Sequence, residues 1–241
     1  MAAVLTLVRE APDPAVYFPI PVRNLVEFVL ARPGLLPALF DYLASVKVTD
    51  PESVRAEVLD VSLRKYPRAK RYSRVVRAEL WRLLNSVYAL KLPGNKDPRG
   101  VVVEYLVFQS DRIGNRHEPQ YVKEYECSVR WRLPNGQTKR LIDSKATFDV
   151  AWLSDISFRG YECKCQVAPF VSWSGGLSSG ARNKLQFMQG TVLELRKLGR
   201  DSRSYLVGLD RSVEDVRELL AAENFLEIEI VDGDQLELLL A

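Results

Sequence analysis

The sequence predicts a mixed α/β protein, with a helical N-terminal part over residues 1–94 and a sheet-bearing part over residues 98–241. Three observations predict it. From Val22 to Leu90, apolar residues recur at helical spacing between breaks marked by proline and glycine. From Tyr121 to Cys165 the pattern changes to alternating or continuously apolar runs of strand length. An amphipathic helix, Asn183 to Leu198, then leads into a further strand.

In order, the first helix is Val22 to Ala31, with Leu25, Val26, Val29 and Leu30 on one face. The second, Leu35 to Val46, follows Pro33-Gly34. Asp50-Pro51-Glu52 reads as a capped start for a third, running to about Tyr66, and Tyr72 to Leu90 is a fourth. A linker from Pro93 to Gly100 follows. The valines of Val101–Val103 favour a strand by propensity, yet Asp97-Pro98 is a helix start, so Val101 to Phe108 is read as a helix. Tyr121 to Arg132 alternates, with Tyr125, Cys127 and Val129 on one face and Glu124 and Glu126 on the other, and ends at the Pro134-Asn135-Gly136 turn. Ser204 to Leu209 reads as a strand and Val213 to Ala222 as a helix. Leu226 to Val231 and Gln235 to Leu240 flank Asp232-Gly233, a hairpin signal.

The chain has 241 residues, 47% apolar and 27% charged, with a net charge of +3, an ordinary balance for a soluble globular protein. Three cysteines and one histidine argue against a disulfide framework and a Cys/His zinc site. No secretory leader pattern and no run of roughly 18 apolar residues is present, so the expectation is a cytoplasmic protein with no membrane partner. There is no Walker spacing.

The chemistry concentrates in Thr147–Trp152 and Gly160–Cys165, two apolar strands that carry Asp149, Glu162 and Lys164. Side chains two apart on a strand share a face, so Glu162 and Lys164 point one way while Tyr161, Cys163 and Cys165 point to the core. Two carboxylates held close repel, and a hard divalent cation with oxygen ligands relieves that conflict. A second triplet, Asp143-Ser144-Lys145, lies in a polar run without apolar strand context and is not the site.

Asp149 followed by Glu162-Cys163-Lys164 resembles the motif of the PD-(D/E)xK nuclease superfamily, with Phe148 where the proline is usually written. The resemblance covers residues 98–241, whose element order matches the restriction-endonuclease-like αβββαβ core. It is nearest to the nuclease domain of CARF-linked CRISPR ancillary nucleases, through Gly100 to Glu104, Asp149-Val150, Glu162 to Lys164 and Lys184-Leu185. The helical N-terminal part shows no βα alternation for a cyclic-oligonucleotide sensor. The resemblance implies a metal-dependent endonuclease of defence or repair, using Mg²⁺ or Mn²⁺. Its ligands would be Asp149, Glu162, the Cys163 carbonyl and Glu104, with Lys164 as the catalytic cation. Glu79 is the substitute for Glu104 as the helix carboxylate, and Glu118 is third. Gln166 and Lys184 are candidate phosphate contacts, and Lys184 falls in the first turn of its helix.

The Gly- and Ser-rich segment from Ser172 to Lys184 includes Trp173 and Arg182, further candidates for substrate contact. His117 stands alone in a polar loop and is not read as a general base. Arg64 to Arg82 is a basic stretch with Arg71 and Arg74 near its centre and Tyr66, Tyr72 and Trp81 interleaved, the footprint of a nucleic-acid surface. The expected partner is nucleic acid, DNA ahead of RNA, with a homodimer favoured if both strands of a duplex are cut. The alternatives are a non-catalytic nucleic-acid-binding or assembly protein on the same scaffold, and a phosphodiesterase for a nucleotide messenger.

Overall fold

Seven strands build one mixed sheet: β1 (Val4–Arg9), β2 (Val122–Arg132), β3 (Thr138–Arg140), β4 (Phe148–Leu153), β5 (Ser157–Cys163), β6 (Asp201–Val207) and β7 (Ile228–Val231). The computed structural model describes residues 3–110, 121–171 and 176–240, and structural statements below concern those residues. The strand order is β1-β2-β4-β5-β6-β7, with β3 a short ribbon on β2. β1, β2, β4 and β5 pair antiparallel, and β5, β6 and β7 run parallel. The helices are α1 (Pro14–Tyr17), α2 (Ile20–Leu30), α3 (Leu36–Ser45), α4 (Glu52–Lys65), α5 (Pro67–Lys70), α6 (Arg74–Tyr88), α7 (Pro98–Gln109), α8 (Val167–Val171), α9 (Ser179–Lys197), α10 (Glu214–Ala222) and α11 (Gly233–Leu240). Among the described residues, no helix is long and apolar enough to cross a membrane.

Two apolar layers cover the sheet. One joins α2, α3, α6, α7 and α11 to Tyr125, Val150, Trp152 and Tyr161. The other joins α8, α9 and α10 to Cys127, Phe148, Phe158 and Leu206. Helix α7 is buried nearly all round, as a helix apolar on every face must be. Its valines therefore form a helix despite their strand propensity: Asp97 caps it by accepting from the Arg99 N–H at 2.9 Å, and Pro98 fits the first turn.

Several sequence expectations change. The N-terminal part is not all helical, because Val4–Arg9 pairs in register with Cys127–Arg132 at the sheet edge. Tyr17 packs on Tyr125, and Phe18 on Tyr105 and Tyr125, within a core that draws on residues from both sides of residue 94. Asp50 does not cap α4; its carboxylate accepts from the Lys47 N–H at 2.7 Å instead. The segment after Asp232-Gly233 is a helix, not the second arm of a hairpin. Asp232 and Gln235 exchange side-chain-to-backbone hydrogen bonds at 2.9 and 3.2 Å, a reciprocal capping box.

Gly160 on β5 lets two aromatic rings meet against the sheet. A Cβ there would lie 2.6 Å from Phe148 Cδ1 and 2.8 Å from Phe158 Cζ. Phe148 in turn packs on Phe187 of α9 at 4.8 Å between centroids, which ties β4 to the helix bearing Lys184. Gly160→Ala is expected to lower unfolding free energy by about 1–3 kcal/mol, the usual cost of overpacking. Urea denaturation checks it, and Phe148→Leu in the same chain should recover part of the loss.

Candidate active site

The β4–β5 ladder ends at Val150↔Tyr161. Past that point the Cys163 N–H donates to the Asp149 carboxylate at 2.7 Å. The neighbouring strand is distorted opposite the same residue. Ladder pairs join Tyr125 to Val150 and Cys127 to Phe148, and between them Glu126 has a φ of 38°. A non-glycine residue with positive φ costs backbone energy. Its effect is a change of face: Tyr125 packs in the α7 layer, Cys127 and Val129 in the α9 layer. The uniform alternation expected of β2 therefore fails at Glu126. The same switch occurs on β4, between Phe148 and Val150, so Asp149 lies at the boundary of the two faces.

At that boundary Asp149, Glu162 and Lys164 come together, with Lys184. Lys164 Nζ lies 2.6 Å from Glu162 Oε1, 3.5 Å from Asp149 Oδ2 and 3.0 Å from the Cys163 carbonyl. Lys184 Nζ pairs with Glu162 Oε2 and lies 3.9 Å from Asp149 Oδ1. Helix α9 starts at Ser179, so Lys184 sits in its second turn rather than its first. Tyr161 and Cys163 face the core as expected. Glu162 Oε2 is fully buried against the Lys184 ammonium.

A cleft of about 420 Å³ opens over Asp149, Lys164 and Gln166, with Glu104, Lys96 and Arg99 on the α7 side. Glu104 is buried and meets the Tyr17 hydroxyl at 2.6 Å. That hydroxyl also lies 2.8 Å from Glu126 and 2.7 Å from Lys96 Nζ. Thr147 bonds the other oxygen of Glu126.

The chain matches no protein-family model and no curated protein.

Burial drives the charges here. Burial would raise the Asp149 pKa, but Lys164, Lys184 and the Cys163 N–H outweigh it and hold Asp149 below its ordinary value. Burial and the Asp149 charge push Glu162 up, against the pull of both lysines. Both lysines are held above the ordinary ammonium value, because the carboxylates outweigh the burial that opposes their charge. Glu104 is pushed up to about 8 by burial and by Asp149. Burial opposes the Glu126 charge too, but Thr147 and Lys96 hold Glu126 below its ordinary value. Tyr17 has one O–H proton for two carboxyl groups, and Lys96 supplies further protons to the Tyr17 oxygen and to Glu126.

Phe148 occupies the motif's proline position and packs against Phe158 and Phe187. Among the sequence candidates, Gln166 lines the cleft and is exposed. Arg182 pairs with Glu223 at 2.9 Å. Arg71 and Arg74 are exposed beside α5 and α6 and do not line the cleft. Glu79 pairs with Arg82 on the outer face of α6, so it is not at the site. Trp173, His117 and Glu118 lie outside the described residues. Tyr66, Tyr72 and Trp81 pack against the core instead of forming a free stacking surface, and Tyr66 also bonds Asp41. The triplet Asp143-Ser144-Lys145 lies in a loop between β3 and β4. Sequence reasoning missed Tyr17, Lys96, Thr147 and Glu126 as neighbours of the site.

No three His, Cys, Asp or Glu side chains among the described residues are arranged to hold a metal. The available donors are the carboxylates of Asp149 and Glu162 and the Cys163 carbonyl. These are hard oxygens, the donor type that suits Mg²⁺ or Mn²⁺.

Proposed function

We propose that this chain is a divalent-metal-dependent nuclease of the PD-(D/E)xK type, an endonuclease that hydrolyses phosphodiester bonds in DNA, or in RNA. The observation that carries the reading is the convergence of Asp149, Glu162 and Lys164, of which Asp149 and Lys164 line one cleft and Glu162 is buried behind them. The order α7, β2, β4, β5, α9, β6 supports a restriction-endonuclease-like core.

Asp149, Glu162 and the Cys163 carbonyl would hold Mg²⁺ or Mn²⁺, which when bound polarises a phosphoryl oxygen and lowers the pKa of a water. Lys164 supplies an ammonium beside the reacting phosphate, orients the attacking water and stabilises charge developing on the phosphoryl oxygens. Lys184 positions Glu162. Tyr17 fixes Glu104 on the opposite wall. Gln166 offers an amide at the mouth.

Circular single-stranded DNA, plasmid and RNA incubated with Mn²⁺ test the reading. The expected result is opening of at least one closed substrate in Mn²⁺ and none in EDTA. Intact circles and intact RNA under every metal condition would end it. The ion pair of Lys184 with Glu162 favours one second reading, a scaffold whose acidic pair is neutralised by two lysines and which binds nucleic acid without cutting it. That reading expects salt-sensitive binding and no cleavage in either metal.

A further inference from the structure

We propose that the groove running from the acidic cleft across the start of α7 to the α3–α4 and α6–α7 loops is the track of a single nucleic-acid strand. The proposal rests on the nuclease reading for what happens at the cleft, but not for the binding itself. A second cleft of about 610 Å³ adjoins the first and shares Lys96, Asp97 and Arg99 with it. Lys47, Lys91, Lys96 and Arg99 line it against the single carboxylate of Asp97.

That carboxylate is already engaged, since Asp97 caps α7 and chelates the Arg99 guanidinium at 2.6 and 2.9 Å. Arg99 also donates to the carbonyls of Leu43 and Val46, which fixes the loop that carries Lys47. Lys47 and Lys91 are exposed and have no ion pair among the described residues. Their charge is available to a polyanion. In the basic stretch Arg64, Lys65 and Arg82 are spent on Asp60, Asp41 and Glu79, while Arg68, Lys70, Arg71 and Arg74 are exposed without an ion pair among the described residues but line neither cleft. Val48, Leu90 and Leu92 supply apolar wall between the cations, a surface for sugar and base faces. Clefts of roughly 300–1,000 Å³ suit small ligands. Two in series offer room for a few nucleotides of one strand.

The test is binding of a labelled single-stranded oligonucleotide to the full chain in EDTA across a salt series, where no cleavage intervenes. Lys47→Glu with Lys91→Glu should weaken binding about tenfold or more near 0.1 M salt and lower the salt slope by about 1.4, the share of two phosphate contacts on a single strand. Lys139→Glu with Lys145→Glu, exposed cations outside the groove, makes the same change in net charge and should bind like the wild type. Circular dichroism melts confirm that each variant is folded. Wild-type affinity in the Lys47/Lys91 variant, an equal loss in the Lys139/Lys145 control, or a loss confined to Arg71→Glu with Arg74→Glu would each overturn the track. So would tighter binding of duplex than of single strand. The two readings fail separately. Cleavage of circles without groove-dependent binding removes the track alone, and groove-dependent binding without cleavage in any metal removes the nuclease alone.

Discussion

Lys164→Ala is expected to slow Mn²⁺-dependent cleavage about a thousandfold in single-turnover assays. An ammonium 4 Å from a phosphate oxygen contributes roughly 4 kcal/mol at an effective dielectric near 20, and each 1.36 kcal/mol is tenfold in rate. The side chain already spans both carboxylates, 2.6 Å from Glu162 and 3.5 Å from Asp149, so it needs little reorganisation to reach a phosphate beside them. Its removal leaves the acidic pair with Lys184 alone. Breaking a buried pair costs about 3–5 kcal/mol, and the 29% exposure of the Lys164 side chain lowers that figure. Melting curves therefore accompany the kinetics. Asp149→Asn is the matching acidic variant, because the amide keeps an oxygen for the Cys163 N–H, whereas alanine would orphan that buried donor. Activity within tenfold of wild type in folded Lys164→Ala would remove Lys164 from the chemistry.

Local patterns carried most of what was legible in the sequence. The E-x-K on β5 could be read because strand alternation sends Tyr161 and Cys163 one way and Glu162 the other. Glu104 could be read because Asp97-Pro98 marks a helix start strongly enough to outweigh three valines. What was missed depends on distant partners. β1 is short and only half-buried, and its pairing partner lies more than a hundred residues away. Glu126 has the spacing of an outward residue in an alternating strand, and nothing local announces its positive φ opposite Asp149. Tyr17 at the end of α1 and Lys96 in the loop before α7 reach the site from separate parts of the chain, so no spacing connects them. The C-terminal helix was legible and misread. Asp232 and Gln235 stand at capping-box spacing, and the Asp-Gly turn signal hid it.

Glu104→Gln is expected to make the metal-free chain about 2–3 kcal/mol more stable at pH 8 while changing little at pH 5. The unfolded carboxyl titrates near its ordinary 4.5, and the folded one near about 8. Between those values the folded state binds more protons than the unfolded state, so stability falls as pH rises. The contribution is whole below the unfolded pKa and gone once pH passes the folded one. Asp149 and Glu126 are shifted the other way, so their contributions are lost only in acid, below the window. Glu162 shifts in the same direction as Glu104 and leaves a residual slope in the variant. Glutamine keeps the shape and donates from its amide to the Tyr17 oxygen, which frees the Tyr17 proton for Glu126, so the network stays satisfied at every pH. Urea titrations of both proteins in EDTA at half-unit steps from pH 5 to 8.5 measure the difference. Parallel curves would mean that Glu104 is ionised throughout.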